Sequence, residues 1–108
     1  MTDEAIRTKR KYARISLPKG MRVAWHGADL QLFSRVRTLG RGGLFIAVPN
    51  PSPVGTKLSL AFEVPGGNVQ AEAIVRNIVR GEGMGVEFTK LRLKDRILLE
   101  QLLKRLLR

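Results

Sequence analysis

The sequence predicts an all-β chain: a small antiparallel barrel of six strands, capped by one C-terminal α-helix. Three observations predict it. Short runs alternate apolar and polar residues, as half-buried strands do. Clusters of glycine and proline separate those runs. At the end of the chain the apolar spacing changes from every second residue to steps of three and four.

The first strand is Met21 to Trp25 (MRVAW), after the punctuation of Pro18 and Gly20. His26-Gly27 reads as a turn. Leu30 to Leu39 is a long second strand. Leu30, Leu32, Ser34, Val36 and Thr38 share a mostly apolar face, and Gln31, Phe33, Arg35, Arg37 and Leu39 a partly basic one. Gly40, Gly42 and Gly43 end it. Leu44 to Val48 is the third strand, closed by PNPSP. Lys57 to Val64 is the fourth, and Pro65-Gly66-Gly67-Asn68 signals a hairpin into Val69 to Val79. Gly81-Glu82-Gly83 turns into Met84 to Phe88. Residues 91–107 (LRLKDRILLEQLLKRLL) form an amphipathic helix. Ile97, Leu98, Leu102 and Leu106 make its stripe, and Leu99 and Leu103 widen it. Phe33, Phe45, Phe62 and Phe88 are expected in the core, leaving Trp25 and Tyr12 as candidate stacking platforms.

Composition narrows function. The 108 residues suit one domain: a basic arm over 1–14, then the barrel and helix over 15–108. There is no cysteine and only one histidine, His26, so thiolate and histidine-cluster metal sites are excluded. No Gly-x-Ser-x-Gly, Walker or His-Glu-x-x-His pattern occurs, and the nine acids are scattered. A binding module is expected rather than an enzyme. No apolar run approaches ~20 residues, and the N-terminus lacks the apolar centre of a secretory signal. A cytoplasmic location is expected. Twenty lysines and arginines against nine acids give a net charge of +11, which attracts anionic partners.

Two stretches could hold an anion. Arg7, Lys9, Arg10, Lys11 and Arg14 crowd into the arm, with Arg10 and Arg14 spaced as Arg-x-x-x-Arg. Guanidinium forks match phosphate oxygens and the O6/N7 edge of guanine, and they stack on base planes. The second stretch is TLGRGGLF, Thr38 to Phe45. Glycines there allow positive φ and let backbone N–H groups approach an anion. They equally suit a plain bend between strands. Arg41 inside the turn favours the anion.

Taken in order, Arg10-Lys11-Tyr12-Ala13-Arg14, VRTLGRGGLFI (Val36 to Ile46) and GMGVEF (Gly83 to Phe88), with a closing helix, resemble the PilZ domain family. The resemblance spans about residues 7–108. It implies a six-stranded barrel with a helix and cyclic di-GMP held at the outer rim. The arm's two arginines, Arg10 and Arg14, would wrap the nucleotide. In the family an acid or amide in the turn reads a guanine edge, and a serine and glycine complete the contact. Gly43 matches that glycine. Thr38 stands where the family has Asp or Asn, and Gly40 where it has serine. A threonine oxygen offers less to guanine than a carboxylate, a loss of ~1–3 kcal/mol. Arg37 and Arg41 could offset part of it by facing phosphate. The expected ligand-binding set is therefore Arg10, Arg14, Thr38, Gly40, Arg41, Gly42 and Gly43, with the arm docking when ligand binds.

The alternative is a degenerate adaptor that binds no nucleotide. It would work through proteins of motility, pilus or exopolysaccharide machinery, with the leucine-rich helix as a contact surface. Non-specific nucleic-acid binding through the +11 charge is the weakest of the three readings.

Overall fold

A computed structural model of the protein describes residues 21–27 and 30–107, together with the backbone of residues 14–16. Its strands are β1 (Arg14–Ser16), β2 (Arg22–Gly27), β3 (Leu30–Gly40), β4 (Gly43–Ala47), β5 (Lys57–Val64), β6 (Gly67–Val79) and β7 (Gly83–Lys90). One helix, α1 (Leu93–Leu106), follows. All strand pairings are antiparallel, in the ring β3-β2-β5-β6-β7-β4 closed by β4 on β3. This is a closed six-stranded barrel with a single C-terminal helix, as the sequence predicts. Arg35 makes the closure visible, because it pairs with Arg22 of β2 on one edge and Ala47 of β4 on the other.

The short β1 is the addition. It carries too few residues to show alternation in the sequence. It exists because β3 outruns β2 and exposes an edge, on which Arg14, Ile15 and Ser16 pair with Gly40, Leu39 and Thr38. Arg14, the expected last residue of the arm, thus begins a strand. Residues 1–13 lie outside the described residues.

Alternation places the core. In β2, Val23 and Trp25 point inward between exposed Arg22, Ala24 and His26. His26 therefore continues the strand instead of opening a turn. In β5, Leu58, Leu60, Phe62 and Val64 face inward. The β5–β6 hairpin closes on Pro65-Gly66, with Val64 opposite Gly67 and Gly66 at φ +95°. That backbone is left-handed and suits glycine.

β3 departs from strict alternation. A register shift between Val36 and Thr38 puts one extra residue opposite β4. Val36 and Leu39 are consequently both fully buried, although they fall on opposite faces of a regular strand. The bulge moves Leu39 from the expected basic face into the core.

The aromatic residues also sort differently from expectation. Phe62 is buried, and Phe45 and Phe88 are half-buried. Phe33 is 67% exposed on the outer face of the barrel. Trp25 is only 1% exposed and is no stacking platform. Its indole Nε1–H donates to Ser34 Oγ at 2.9 Å, satisfying the one polar atom it buries. Tyr12 lies outside the described residues.

α1 covers one end of the barrel. Leu99 and Leu103 are its buried centre, with Leu98, Leu102 and Leu106 packed beside them. Ile97, expected in the stripe, is 48% exposed. Burying each central leucine contributes ~1.5–3 kcal/mol. A polar latch fixes the helix start: Asp95 is fully buried, accepting the Gln70 backbone N–H at 3.2 Å and Arg92 Nε at 2.9 Å. The opposite end is closed by the chain between β4 and β5, where Val48 and Ser52 are buried.

Candidate functional site

The helix end of the barrel gathers most of the candidate residues. β3 delivers Thr38 and Gly40 to its rim, a bend at Arg41-Gly42 reverses the chain, and β4 leaves from Gly43. The bend is pinned from beneath, since the Phe88 N–H of β7 donates to Gly42 O at 2.8 Å. Gly43 is buried and pairs with Glu87. The positive-φ glycines among the described residues are Gly55, Gly66 and Gly81. Gly40, Gly42 and Gly43 are not among them, so these glycines do not use the positive φ open to them. Gly40 and Gly43 are instead strand-end residues with bare backbone.

β1 brings the arm's end to this turn. Arg14 is the direct register partner of Gly40, and Ser16 of Thr38. Two sequence signals separated by more than twenty positions are therefore neighbours in one sheet. Arg10 lies outside the described residues.

Thr38 holds the least settled polar atom of the set. Its Oγ1 is buried and finds no hydrogen-bond partner among the described residues. A buried hydroxyl without a partner costs ~1–3 kcal/mol, which a ligand donor would recover.

The two arginines expected to face phosphate, Arg41 of the turn and Arg37 of β3, are already engaged. Arg41 Nη2 contacts Glu100 Oε2 at 2.8 Å, joining the turn to α1. Arg37 Nη1 contacts Glu82 Oε1 at 3.2 Å. Both pairs are largely solvent-exposed, so each is worth only ~0.2–1 kcal/mol. An incoming phosphate would have to compete with a carboxylate for each, at modest cost. Glu100 is a member of the site neighbourhood that sequence reasoning missed. It lies 59 positions from Arg41 and looks like an ordinary solvated helix acid.

The described residues contain no group of three or more histidine, cysteine, aspartate or glutamate side chains placed to hold a metal. No described helix is long and apolar enough to cross a membrane. Two shallow surface depressions, one against α1 beside Pro65 and one beside Gln70 and Lys90, include none of the candidate residues.

Comparison with known proteins agrees with this architecture. The family model described as the PilZ domain matches residues 8–105. No curated protein sequence matches. Among solved structures, the Bacillus subtilis inhibitor of motility (MotI/DgrA) superposes with a TM-score of 0.74 at 20% identity, covering 91% of this chain and 51% of that one. The PilZ domain of YcgR from Escherichia coli, solved with c-di-GMP, gives 0.70 at 16% identity, covering 91% of both chains. The K. pneumonia MrkH–c-di-GMP complex gives 0.73 at 15% identity, covering 91% of this chain and 52% of that one. The chain thus spans about half the length of the first and third of these proteins.

Proposed function

Because the chain belongs to the PilZ domain family, we propose that it is a non-enzymatic module that binds cyclic di-GMP and transmits the signal by docking its basic arm, residues 1–14, on the barrel. The observation that carries this reading is the register of β1: Arg14 lies beside Gly40. Two of the similar solved structures contain c-di-GMP.

In this proposal Arg10 and Arg14 neutralise the two phosphates and stack on the guanines. Bare backbone at Gly40, Gly42 and Gly43 accommodates the nucleotide closely. The Thr38 oxygen, without a hydrogen-bond partner among the described residues, accepts one guanine N–H. It replaces a two-oxygen reader, so affinity falls below that of a chain with Asp or Asn there. Docking the arm alters the surface available to a partner.

Calorimetric titration with cyclic di-GMP tests this. Binding should be saturable, and Arg10→Ala and Arg14→Ala should each abolish or strongly weaken it. A folded protein that gives no heat up to high micromolar ligand overturns it.

A second reading, the adaptor that needs no nucleotide, is favoured by the Arg41–Glu100 and Arg37–Glu82 pairs, which already occupy both arginines expected to face phosphate. Capture of a motility or exopolysaccharide protein equally with and without cyclic di-GMP supports it. Capture only with nucleotide counts against it.

A further inference from the structure

We propose that the exposed edge of β3 at Leu30–Ser34 is a docking site for an extended acidic segment of a partner protein, added as a further antiparallel strand. This site lies at the far end of β3 from the Gly40–Gly43 turn. It stands independently of nucleotide binding.

The edge is open because β4 is short. β2 pairs with Leu30 through Arg35 on one side of β3. β4 occupies the other side only from Arg35 to Leu39. Among the described residues, no strand pairs with Leu30–Ser34 on that second side. The chain after β4 turns away: the Val48 N–H donates to Glu82 O at 3.1 Å, and Pro49, Pro51 and Pro53 follow. Proline has no N–H for a ladder, so β4 cannot simply continue along β3.

Open edges are normally blunted by charge, proline or a bulge. Leu30-Gln31-Leu32-Phe33-Ser34 has no charge and no proline, and the bulge of β3 lies farther along. Three large apolar side chains stand in solvent on this segment: Leu30 at 48%, Leu32 at 41% and Phe33 at 67% exposed. Leu30 and Leu32 project on the face of Trp25, and Phe33 on the outer face opposite Ala24. A strand laid along the edge would find apolar neighbours on both faces, with backbone bonds supplying affinity.

Charge selects the occupant. Arg22 and Arg35 sit directly opposite one another on the outer face, and Arg22 lies over the Phe33 ring at 6.0 Å. Neither makes an ion pair among the described residues. Like charges in cross-strand register repel, and a carboxylate beside Arg35 on the open side of β3 would relieve that. A second copy of this chain would bring another +11 to the same edge, and the arm is itself basic. The complementary ligand is a strand with glutamate or aspartate on one face and apolar residues on the other.

The test uses the full chain, without nucleotide, and a short fluorescent peptide alternating glutamate and valine. A lysine–valine peptide is the control. Anisotropy should show saturable binding of the acidic peptide only, and amide hydrogen exchange should show new protection within Leu30–Ser34. Leu32→Glu should weaken binding by roughly tenfold or more, because it removes an apolar neighbour of the added strand and repels its glutamates. Phe33→Glu, at a more exposed position beside Arg22, serves the same purpose if the first variant folds poorly, because it repels the peptide's glutamates. Arg35→Glu should also weaken it. The proposal is overturned by absent binding, by equal binding of both peptides, or by protection elsewhere. A concentration-dependent dimer that Leu32→Glu dissociates would equally overturn it, by assigning the edge to a second copy.

Discussion

Asp95 is the point at which one atom group decides whether the helix stays on the barrel. Asp95→Ala removes a fully buried carboxylate that accepts from the Gln70 backbone N–H and from Arg92 Nε. The two bonds differ in worth. The Gln70 N–H is a part-buried backbone donor, and a hydrogen bond to a charged acceptor contributes ~1.5–3 kcal/mol. Arg92 is 57% exposed, so its ion pair contributes only ~0.2–1 kcal/mol. Asp95 also stands in the first helical turn, where a negative charge gains ~0.3–1 kcal/mol from the helix dipole. These contributions overlap, and a loss of about 2–4 kcal/mol is expected. Arg92→Ala should lose under ~1 kcal/mol. Urea unfolding followed by far-ultraviolet circular dichroism and by the single tryptophan, Trp25, measures both. The midpoint should fall at constant slope, and the melting temperature by roughly 10 °C or more for Asp95→Ala. Equal losses in the two variants, or a loss below ~0.5 kcal/mol for Asp95→Ala, would refute the assignment of the latch to the Gln70 N–H.

Other substitutions probe the fold and the site. Gly83→Ala should destabilise the barrel by ~1–3 kcal/mol in the same assay, because a Cβ there would run into Ile46 O and come within 2.6 Å of Phe45 Cε1. Trp25→Phe should cost ~1–3 kcal/mol by stranding the Ser34 hydroxyl and shrinking the core; a neutral result would mean that the indole bond is replaced by water. Thr38→Asn, restoring an amide reader, should raise cyclic di-GMP affinity by a factor of ~5 to 150 in calorimetry, the equivalent of ~1–3 kcal/mol. An unchanged or absent affinity would favour the adaptor reading.

Much of the fold was legible in the sequence because it depends on local chemistry. Alternation within MRVAW and KLSLAFEV aligns side chains with a pleat whatever their partners are. Pro65-Gly66 specifies its own turn, and the three- and four-residue leucine spacing specifies a helix. The same local patterns located the two halves of the candidate site, the arginine pair and the glycine turn. They could not show that Arg14 lies in register with Gly40. Strand register is a property of two segments at once, and β1 is too short to announce itself.

Tertiary structure decided the rest, wherever a residue's environment comes from a distant segment. Leu39 reads as an outward residue until the bulge opposite β4 turns it inward. Leu32 reads as core until β4 stops at Ala47 and leaves its strand uncovered, and Phe33 reads as core until the β2 register puts it on the outer face opposite Ala24. Arg41 reads as a phosphate-seeking cation until α1 packs and presents Glu100 to it. The sequence by itself determined which elements form and which residues carry charge, because backbone sterics and side-chain periodicity act over a few residues. Burial, pairing and the competition for each cation were decided only by folding, because they depend on which surfaces meet.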